Sequence, residues 1–540
     1  MISSATDEIR IFGRRPDFWA GVIILGTTAA RILFLLSGQV DLVQDEAQYW
    51  DWSRRLQLSY FTKPPLIAFV IRFWTEIFGD TAFGVRFGAV TGSALTQCIL
   101  YFGLSRLFER PKLAVAALVV ANTTLLFLVS SIMMTTDNLL MTFWLAGVFS
   151  LYWSWKEPGC NLPLACLFAA CAVGVVAKYT MLVILPVAFL WTASLKSRDR
   201  LPVGWFSRLL PVMLLGLALG FLPVLIWNFQ NDFAGFRHVF HLAGVEGSRA
   251  EKFIRFDRFP DYFGSQVALL TIFWFVFMLI GAARVLPAAL RSKVRGSWRK
   301  TGLDSSQAAL LAWVFWPVWG FFLIWSFHTK IQPNWPAVAL AGGLILAAAA
   351  WLRAAARSRL HAWLWPVIGG LVFVLVHVHD LLPLPYRFNV NPPFTSEEIY
   401  FENPALRLKG WDDLGTRLAE LRRTEFENPD KVFFFANNYD ITAALAFHTP
   451  GNPYAYCVNV GRRLNQYDLW PDPRDKTGWD AIYVREKFKE LIEPGVAELF
   501  ARTEQMHYQT YHEGRPARRF TIYLCYDFNG QWPRGRETGF

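Results

Sequence analysis

The sequence is poor in charged residues and in cysteine for its length. Asp, Glu, Lys and Arg make up 18% of the 540 residues, and the six cysteines show neither a C-x-x-C pair nor metal-ligand spacing. Such a pattern gives no support to a zinc site or to a disulfide-rich domain. A P-loop and a GxGxxG turn between a strand and a helix are also missing, so the sequence predicts no nucleotide site.

Apolar and aromatic residues, in contrast, are abundant. The chain is 54% hydrophobic and contains 24 Trp and 47 Phe, a composition that is typical of a protein in a bilayer. We predict about eleven spans from the recurrence of apolar stretches near the bilayer-spanning length. They lie at 18–38, 85–107, 113–132, 138–155, 161–177, 179–195, 207–227, 265–287, 307–327, 335–352 and 362–380. Residues 67–78 are shorter and are predicted as an interfacial helix.

Basic residues orient these spans. The first span follows Arg10, Arg14 and Arg15 and lacks a small-residue cleavage site, so it is predicted to be retained with its N-terminus in the cytoplasm. The basic loops 284–306 and 353–361 then also lie inside, and the C-terminus lies in the periplasm. Basic residues of the cytoplasmic loops supply much of the net charge of +11. The remaining basic residues suit an anionic lipid substrate, so the charge does not require a nucleic-acid partner.

Composition changes after residue 382. A linker is predicted from Pro383, Pro385, Pro392 and Pro393. Beyond it we predict strands at 431–435, 455–460, 480–484 and 519–527, and helices at 441–447 and 486–503. The expected fold is therefore a polytopic α-helical membrane domain at 1–382 followed by a periplasmic mixed α/β domain at 383–540. There, Cys457 and Cys525 either form a disulfide or remain two thiols, and the sequence favours neither.

The most unusual stretch is 41–66, which carries many charges directly after the first span. Asp45 and Glu46 are adjacent carboxylates at the start of a predicted helix. Asp45 is a good N-cap, with Gln48 three residues later in a capping-box role. Alternatively, one carboxylate points into a cavity as a general base. The local sequence favours capping, whereas the neighbouring Lys63 and the family resemblance described below favour the base.

Lys63 stands directly before Pro64 and Pro65. A residue before proline is driven out of helical geometry, and two prolines stiffen the chain and can open a helix. Lys63 is thus held at a fixed point at the membrane surface, where an ammonium suits a phosphate. A lone lysine here would more often simply reach toward lipid headgroups.

The run DEAQYW at 45–50 followed by TKPPL at 62–66, after a first span, resembles the GT-C superfamily of polyprenyl-phosphate-sugar-dependent glycosyltransferases. The ArnT-like and protein mannosyltransferase-like bacterial branch is the most similar part of it. The resemblance implies that Asp45 and Glu46 lie in the active site and that Lys63 binds the donor phosphate. Gln48 stands where the aminoarabinose transferases usually have Arg, which weighs against an aminoarabinose donor.

Other outer loops add candidates. Asp137, at the start of a helix, is a natural cap, and the resemblance makes it a second catalytic carboxylate. The resemblance also makes Lys178 and Lys330 candidate phosphate ligands beside Lys63, whereas Lys178 taken alone would be a lysine that reaches toward the lipid headgroups. Candidate substrate contacts, in loops whose cations and aromatic rings suit an anionic amphipathic lipid, are Tyr49, Arg54, Arg55, His328 and Trp335. Arg31 lies inside the first span, where a charge indicates either function or pairing with a neighbouring helix.

The expected function is inverting transfer of a sugar from a polyprenyl-phosphate donor to lipid A or the lipopolysaccharide core, at the periplasmic face of the bacterial inner membrane. Cationic side chains would stabilise the leaving phosphate, and Asp45 would accept the proton of a hydroxyl acceptor. No metal or other cofactor is predicted, although the sequence does not decide whether a divalent metal is needed. A monomer in contact with membrane lipids suffices. The alternatives are a protein O-mannosyltransferase and, from another class, a transporter or lipid flippase.

Overall fold

Helices dominate the first 378 residues. The computed structural model describes residues 10–242, 256–290, 297–378, 387–390, 399–402, 406 and 408–533. Its helices in this part of the chain are α1 (Pro16–Leu36), α2 (Gln44–Ser53), α3 (Leu66–Phe78), α4 (Ala82–Phe102), α5 (Pro111–Asn122), α6 (Leu125–Ser130), α7 (Thr136–Lys156), α8 (Leu162–Ala177), α9 (Ile184–Lys196), α10 (Trp205–Gln230), α11 (Ala234–Leu242), α12 (Phe259–Leu270), α13 (Ile272–Leu290), α14 (Ser305–Trp325), α15 (Ala337–Ala355) and α16 (Arg359–Val378).

The polytopic architecture is confirmed. Within the described residues, eight helical stretches are long and apolar enough to cross a membrane, and α5 and α8 are shorter apolar helices. Each of the eleven predicted spans overlaps one of the helices above. The central helix is α15, most of which is buried, whereas α1 and α16 are largely uncovered by protein. Their exposed Leu, Val and Phe side chains are those expected to face lipid.

The predicted span 113–132 is not one helix. It breaks between α5 and α6 at Thr123 and Thr124, whose hydroxyls donate to the carbonyl oxygens of Val119 and Ala121 at 2.7 and 2.9 Å. Hydroxyl side chains that bind nearby backbone compete with the helical ladder. Asn122, just before the break, accepts a hydrogen bond from Arg31 at 2.6 Å. Arg31 therefore pairs with a neighbouring helix, one of the two readings of its position in the first span.

The C-terminal part folds as a mixed α/β domain, as expected from the sequence. Its strands are β1 (Arg387–Val390), β2 (Ile399–Glu402), β3 (Val432–Ala436), β4 (Ala455–Cys457), β5 (Asp480–Glu486), β6 (Phe500–His512) and β7 (Arg515–Phe528), and its helices are α17 (Trp411–Thr424), α18 (Tyr439–His448) and α19 (Pro494–Ala497). The main sheet has the order β4-β3-β5-β7-β6. The predicted proline linker and the 382/383 boundary lie outside the described residues.

One predicted element is wrong. The helix expected at 486–503 is replaced by the short α19 and by β6, which pairs with β7 in an antiparallel hairpin. The two residues between these strands, Glu513 and Gly514, both have positive φ, at 49° and 75°. This is the geometry of a two-residue hairpin turn whose twist matches that of its strands. Cys457 on β4 and Cys525 on β7 are both free, since β3 and β5 lie between their strands.

The α/β domain packs on the loop between α1 and α4. Trp50 of α2 meets Phe447 of α18 edge to face, with 4.9 Å between ring centroids. Farther along the same loop, the backbone N–H of Phe61 donates to the Gln466 side chain at 2.7 Å. The side chains of both parts belong to one continuous apolar cluster. The domain thus covers the stretch in which the sequence concentrates its charges.

Candidate active site

The two adjacent carboxylates of α2 have different surroundings. The helix begins after Val43, so Asp45 is not its N-cap and the capping alternative is wrong. The carboxylate of Glu46 instead accepts a hydrogen bond from the Val43 N–H at 3.3 Å. This bond satisfies one of the N–H groups that a helix start leaves open. Asp45 is therefore not needed to cap the helix.

Glu46 forms a buried ion pair with Arg86 of α4. The guanidinium donates to the carboxylate at 2.6 Å from Nη2 and at 3.0 Å from Nε, and both residues are almost fully buried. Glu46 also accepts from the Met134 N–H at 2.8 Å. Arg86 donates in addition to the carbonyl oxygens of Val40 and Asp41. Together these contacts fix the segment between α1 and α4, residues 37–81 (the first outer loop), against α4 and against the loop before α7.

Asp45 is exposed, although its neighbour Glu46 is fully buried. Successive residues of an α-helix point about 100° apart, so the two carboxylates face different surroundings. Burial raises the pKa of the Tyr49 hydroxyl, and Asp45 is the largest charged contributor to that rise. The pKa of Tyr439 is also raised, by burial first and then by Asp440 and Asp45. Asp45 therefore lies near tyrosines from both the membrane part and the α/β domain.

Lys63 is held by the turn that the prolines predict. Its carbonyl oxygen accepts from the Tyr60 N–H at 3.1 Å, and α3 begins at Leu66, directly after Pro65. The pKa of the Lys63 ammonium is lowered, by burial first and by the charge of Lys178 second. Asp137 and Asp45 act in the opposite direction. An ammonium that is partly desolvated beside another cation gains much from an anionic ligand.

Asp137, near the start of α7, joins two other outer segments. One carboxylate oxygen accepts from the Lys178 ammonium at 2.6 Å, and the other accepts from the Asn334 amide at 2.7 Å. Asp137 and Lys178 are 8% and 9% exposed. A lysine ammonium has three N–H donors, so the bond to Asp137 leaves Lys178 able to contact a further acceptor.

These observations bring four charged side chains from three separate segments into one cluster. Lys63 is influenced electrostatically by Lys178, Asp137 and Asp45; Asp45 and Lys63 lie in the same segment, and Asp137 and Lys178 come from two others. The cluster contains two carboxylates and two ammonium groups. It is able to bind an anionic group through the lysines while a carboxylate acts on a neighbouring proton donor.

Arg54 and Arg55, predicted to touch substrate, contact the α/β domain. Arg54 donates to the Asn452 carbonyl oxygen at 2.6 Å and pairs with Asp51 at 3.0 Å. The guanidinium of Arg55 lies over the rings of Tyr454 and Trp470, each at 4.2 Å. Cation–π contacts of this kind add to packing between surfaces. Both arginines therefore connect the first outer loop to the domain that covers it.

The loop after α14 reaches the cluster through a residue that was not singled out from the sequence. Lys330 is exposed. His328 and Trp335 pack on Trp325 and Phe322, with ring centroids 5.0 and 6.0 Å apart. Asn334, between them in sequence, is the residue of this loop that bonds to Asp137.

Arg86 and Tyr439 were also missed from the sequence. The sequence does contain an indication for Arg86, because an arginine at the edge of a predicted span requires a partner of opposite charge or a hydrogen-bond acceptor. Tyr439 had none, since it begins a helix of a separate domain and approaches Asp45 only in the folded chain. Among the residues that the structure describes, no group of three or more His, Cys, Asp or Glu side chains is arranged to hold a metal ion.

Comparisons with known proteins agree with this architecture. A family model described as dolichyl-phosphate-mannose-protein mannosyltransferase matches residues 62–227. The lipid A galacturonosyltransferase RgtD of Rhizobium johnstonii is 26% identical over 333 residues, which are 60% of this chain and 64% of that protein. An undecaprenyl phosphate-alpha-4-amino-4-deoxy-L-arabinose arabinosyl transferase of Enterobacter is 23% identical over 404 residues, 70% of this chain and 67% of that protein. The chain thus spans slightly less than two thirds of the first of these relatives.

A solved structure extends the likeness to nearly the whole chain. The structure of ArnT from Cupriavidus metallidurans in the apo state superposes with a TM-score of 0.61 at 15% identity, over 94% of this chain and 98% of that one. The same protein bound to undecaprenyl phosphate gives the same TM-score. At 15% identity, this match shows similarity of fold. The chain is therefore a multi-pass membrane protein with the fold of ArnT, and its sequence is similar to those of a lipid A galacturonosyltransferase and of aminoarabinose transferases.

Proposed function

We propose that the protein transfers a sugar from a polyprenyl-phosphate donor to lipid A or the lipopolysaccharide core, with inversion at the anomeric carbon and at the periplasmic face. The observation that carries this proposal is the cluster of Asp45, Lys63, Asp137 and Lys178. It unites cations suited to a phosphate with an exposed carboxylate suited to a proton.

The donor phosphate contacts Lys63 and Lys178. The bond between the anomeric carbon and the phosphate oxygen breaks, and its electron pair leaves on the phosphate. The two ammonium groups stabilise this growing negative charge in a partly buried site, where electrostatic interactions are stronger than in water. Asp137 orients Lys178 and is itself oriented by Asn334, through the two hydrogen bonds of 2.6 and 2.7 Å.

The acceptor oxygen attacks the opposite face of the sugar, and Asp45 accepts its proton. Asp45 suits this role because it is exposed, whereas Glu46 is occupied by Arg86, Met134 and Val43. An acceptor phosphate would need no base, and Asp45 would then orient the acceptor. Glu46 acts through position, by holding α2 against α4.

The acceptor is inferred from two sources. The relative with 26% identity carries lipid A in its name. The loop after α14 also presents the exposed Lys330 beside the rings of His328 and Trp335, and a cation beside aromatic rings suits an anionic amphipathic lipid. A second candidate is transfer to protein hydroxyl groups, favoured by the family model over residues 62–227.

Mass spectrometry of the envelope tests the proposal. Lipid A and core are compared between the wild-type strain and a strain that lacks the gene, and glycoproteins are examined in parallel. The proposal expects lipid A or core to lose the mass of one sugar. Loss of a hexose from proteins with unchanged lipids would favour the second candidate. No change in either class, together with uptake of labelled donor into vesicles that hold the purified protein, would favour a transporter.

A further inference from the structure

A concave basic groove lies at the end of the helix bundle opposite to the charged cluster. It has a volume of about 450 Å³ and is formed by the start of α5, the short helix Ser297–Thr301 and the end of α15. The helix α15 begins three residues after Asn334 and runs from the cluster to this groove. Its 19 residues separate the two sites by about 27 Å, at about 1.5 Å per residue.

The groove is strongly cationic. Among the described residues that line it, one is a carboxylate, Glu109, and that carboxylate is paired with Lys156 at 2.5 Å. The six basic residues of the walls are Arg110, Lys112, Arg299, Lys300, Arg353 and Arg357. A positive-inside bias alone accounts for basic residues on this face. It does not account for their meeting from three elements around one concavity whose carboxylate is already neutralised.

The base of the groove is apolar. Leu113, Ala349 and Leu352 line it beside the cations, and Leu113 and Ala349 are buried. The Nε atoms of Arg110 and Arg353 are buried with no hydrogen-bond partner among the described residues. Buried guanidinium N–H groups without an acceptor are costly, so two of the arginines that line the groove have unsatisfied donors.

We propose that this groove binds a lipid of the facing leaflet whose headgroup carries two phosphates, as in the cardiolipin class. Six cations on three walls match two phosphates better than one, and basic pockets between helix ends are suited to such headgroups. The groove also has the volume of a small-molecule site. Its apolar base at the membrane boundary favours acyl chains over a freely soluble anion.

Native mass spectrometry tests the proposal on the full-length protein, released from nanodiscs of phosphatidylcholine with added cardiolipin. The variant K112Q/K300Q removes two exposed cations of the groove. The control K196Q/R208Q removes two exposed cations of the same face that do not line it. We expect wild type and control to retain one cardiolipin. The groove variant should retain it about 30-fold more weakly, given the attraction that one surface cation adds toward anionic lipid.

Two further measurements distinguish a lipid with two phosphates from other phosphate-containing ligands. Phosphatidylglycerol at equal charge tests the need for two phosphates in one molecule, and inorganic pyrophosphate tests the need for acyl chains. Equal retention of cardiolipin by both variants would overturn the site, provided that their melting temperatures agree. Binding of pyrophosphate as tight as that of cardiolipin would overturn the assignment to a lipid.

Discussion

The adjacent carboxylates of α2 offer a sharp test, because the structure predicts opposite consequences for the same chemical change. Glu46→Gln removes the charge that pairs with buried Arg86. Asp45→Asn removes an exposed charge beside Lys63. We expect the first substitution to lower stability and the second to abolish transfer while leaving stability intact.

The magnitudes follow from burial. Glu46 and Arg86 are 0% and 1% exposed, and loss of one partner of a buried ion pair costs about 3–5 kcal/mol. For 540 residues, an unfolding entropy of about 2.1 cal/mol/K per residue converts this into a drop of about 3–4 °C in melting temperature. An exposed position such as Asp45 changes stability by less than about 0.5 kcal/mol. Loss of a general base lowers turnover by about 10²- to 10⁴-fold.

The assay combines thermal unfolding in detergent with transfer of labelled sugar from polyprenyl phosphate to a hydroxyl acceptor. Glu76→Gln is the matched control for Glu46→Gln. Glu76 pairs with Arg72 on the surface of α3, where the two side chains are 57% and 48% exposed. A pair exposed to this degree contributes less than about 1 kcal/mol, so the control should melt like the wild type.

Two results would refute the reasoning. If Glu46→Gln melts at the same temperature as Glu76→Gln, the buried pair does not hold the first outer loop. If Asp45→Asn keeps near-wild-type turnover with a hydroxyl acceptor, Asp45 is not the base. Donor binding to Asp45→Asn should persist in either case, because the lysines remain.

Three further outcomes are expected. Affinity for polyprenyl phosphate should weaken as pH rises through the lowered pKa of Lys63, because the ammonium loses its charge. Lys63→Arg should shift this loss of affinity to higher pH. An affinity that does not change with pH would contradict a phosphate-binding role for Lys63. Arg54→Gln should speed proteolytic cleavage before the α/β domain, since it removes the link to that domain and the pair with Asp51; unchanged cleavage would mean that other contacts suffice. Gly415→Ala should lower the free energy of unfolding by about 1–3 kcal/mol, because the added Cβ would overlap a backbone carbonyl of α18. Gly370→Ala is the control, since open space surrounds that position. Equal melting temperatures of the two variants would contradict the close packing at Gly415.

Much of the fold could be predicted because its signals are local. A membrane span requires a sustained apolar run, which is visible in the sequence, and each predicted span overlaps a helix of the structure. Where the prediction failed, the cause lay in contacts distant in sequence. The segment 486–503 has helix-forming residues, but its last four residues begin β6, which pairs with the distant β7. The break before α6 depends on Thr123 and on Asn122, whose partner Arg31 lies 91 residues away.

The candidate site, like the fold, has features that depend on local sequence and features that depend on distant contacts. The sequence by itself determined which residue types stand in the outer loops: two adjacent carboxylates, a lysine fixed before two prolines, and a carboxylate at a helix start. Only the tertiary structure decided that Glu46 is buried against Arg86 while Asp45 stays exposed, and that Asn334 meets Asp137. The physical reason is that a sequence fixes the chemistry of each side chain, whereas burial and charge pairing depend on what other parts of the chain bring beside it.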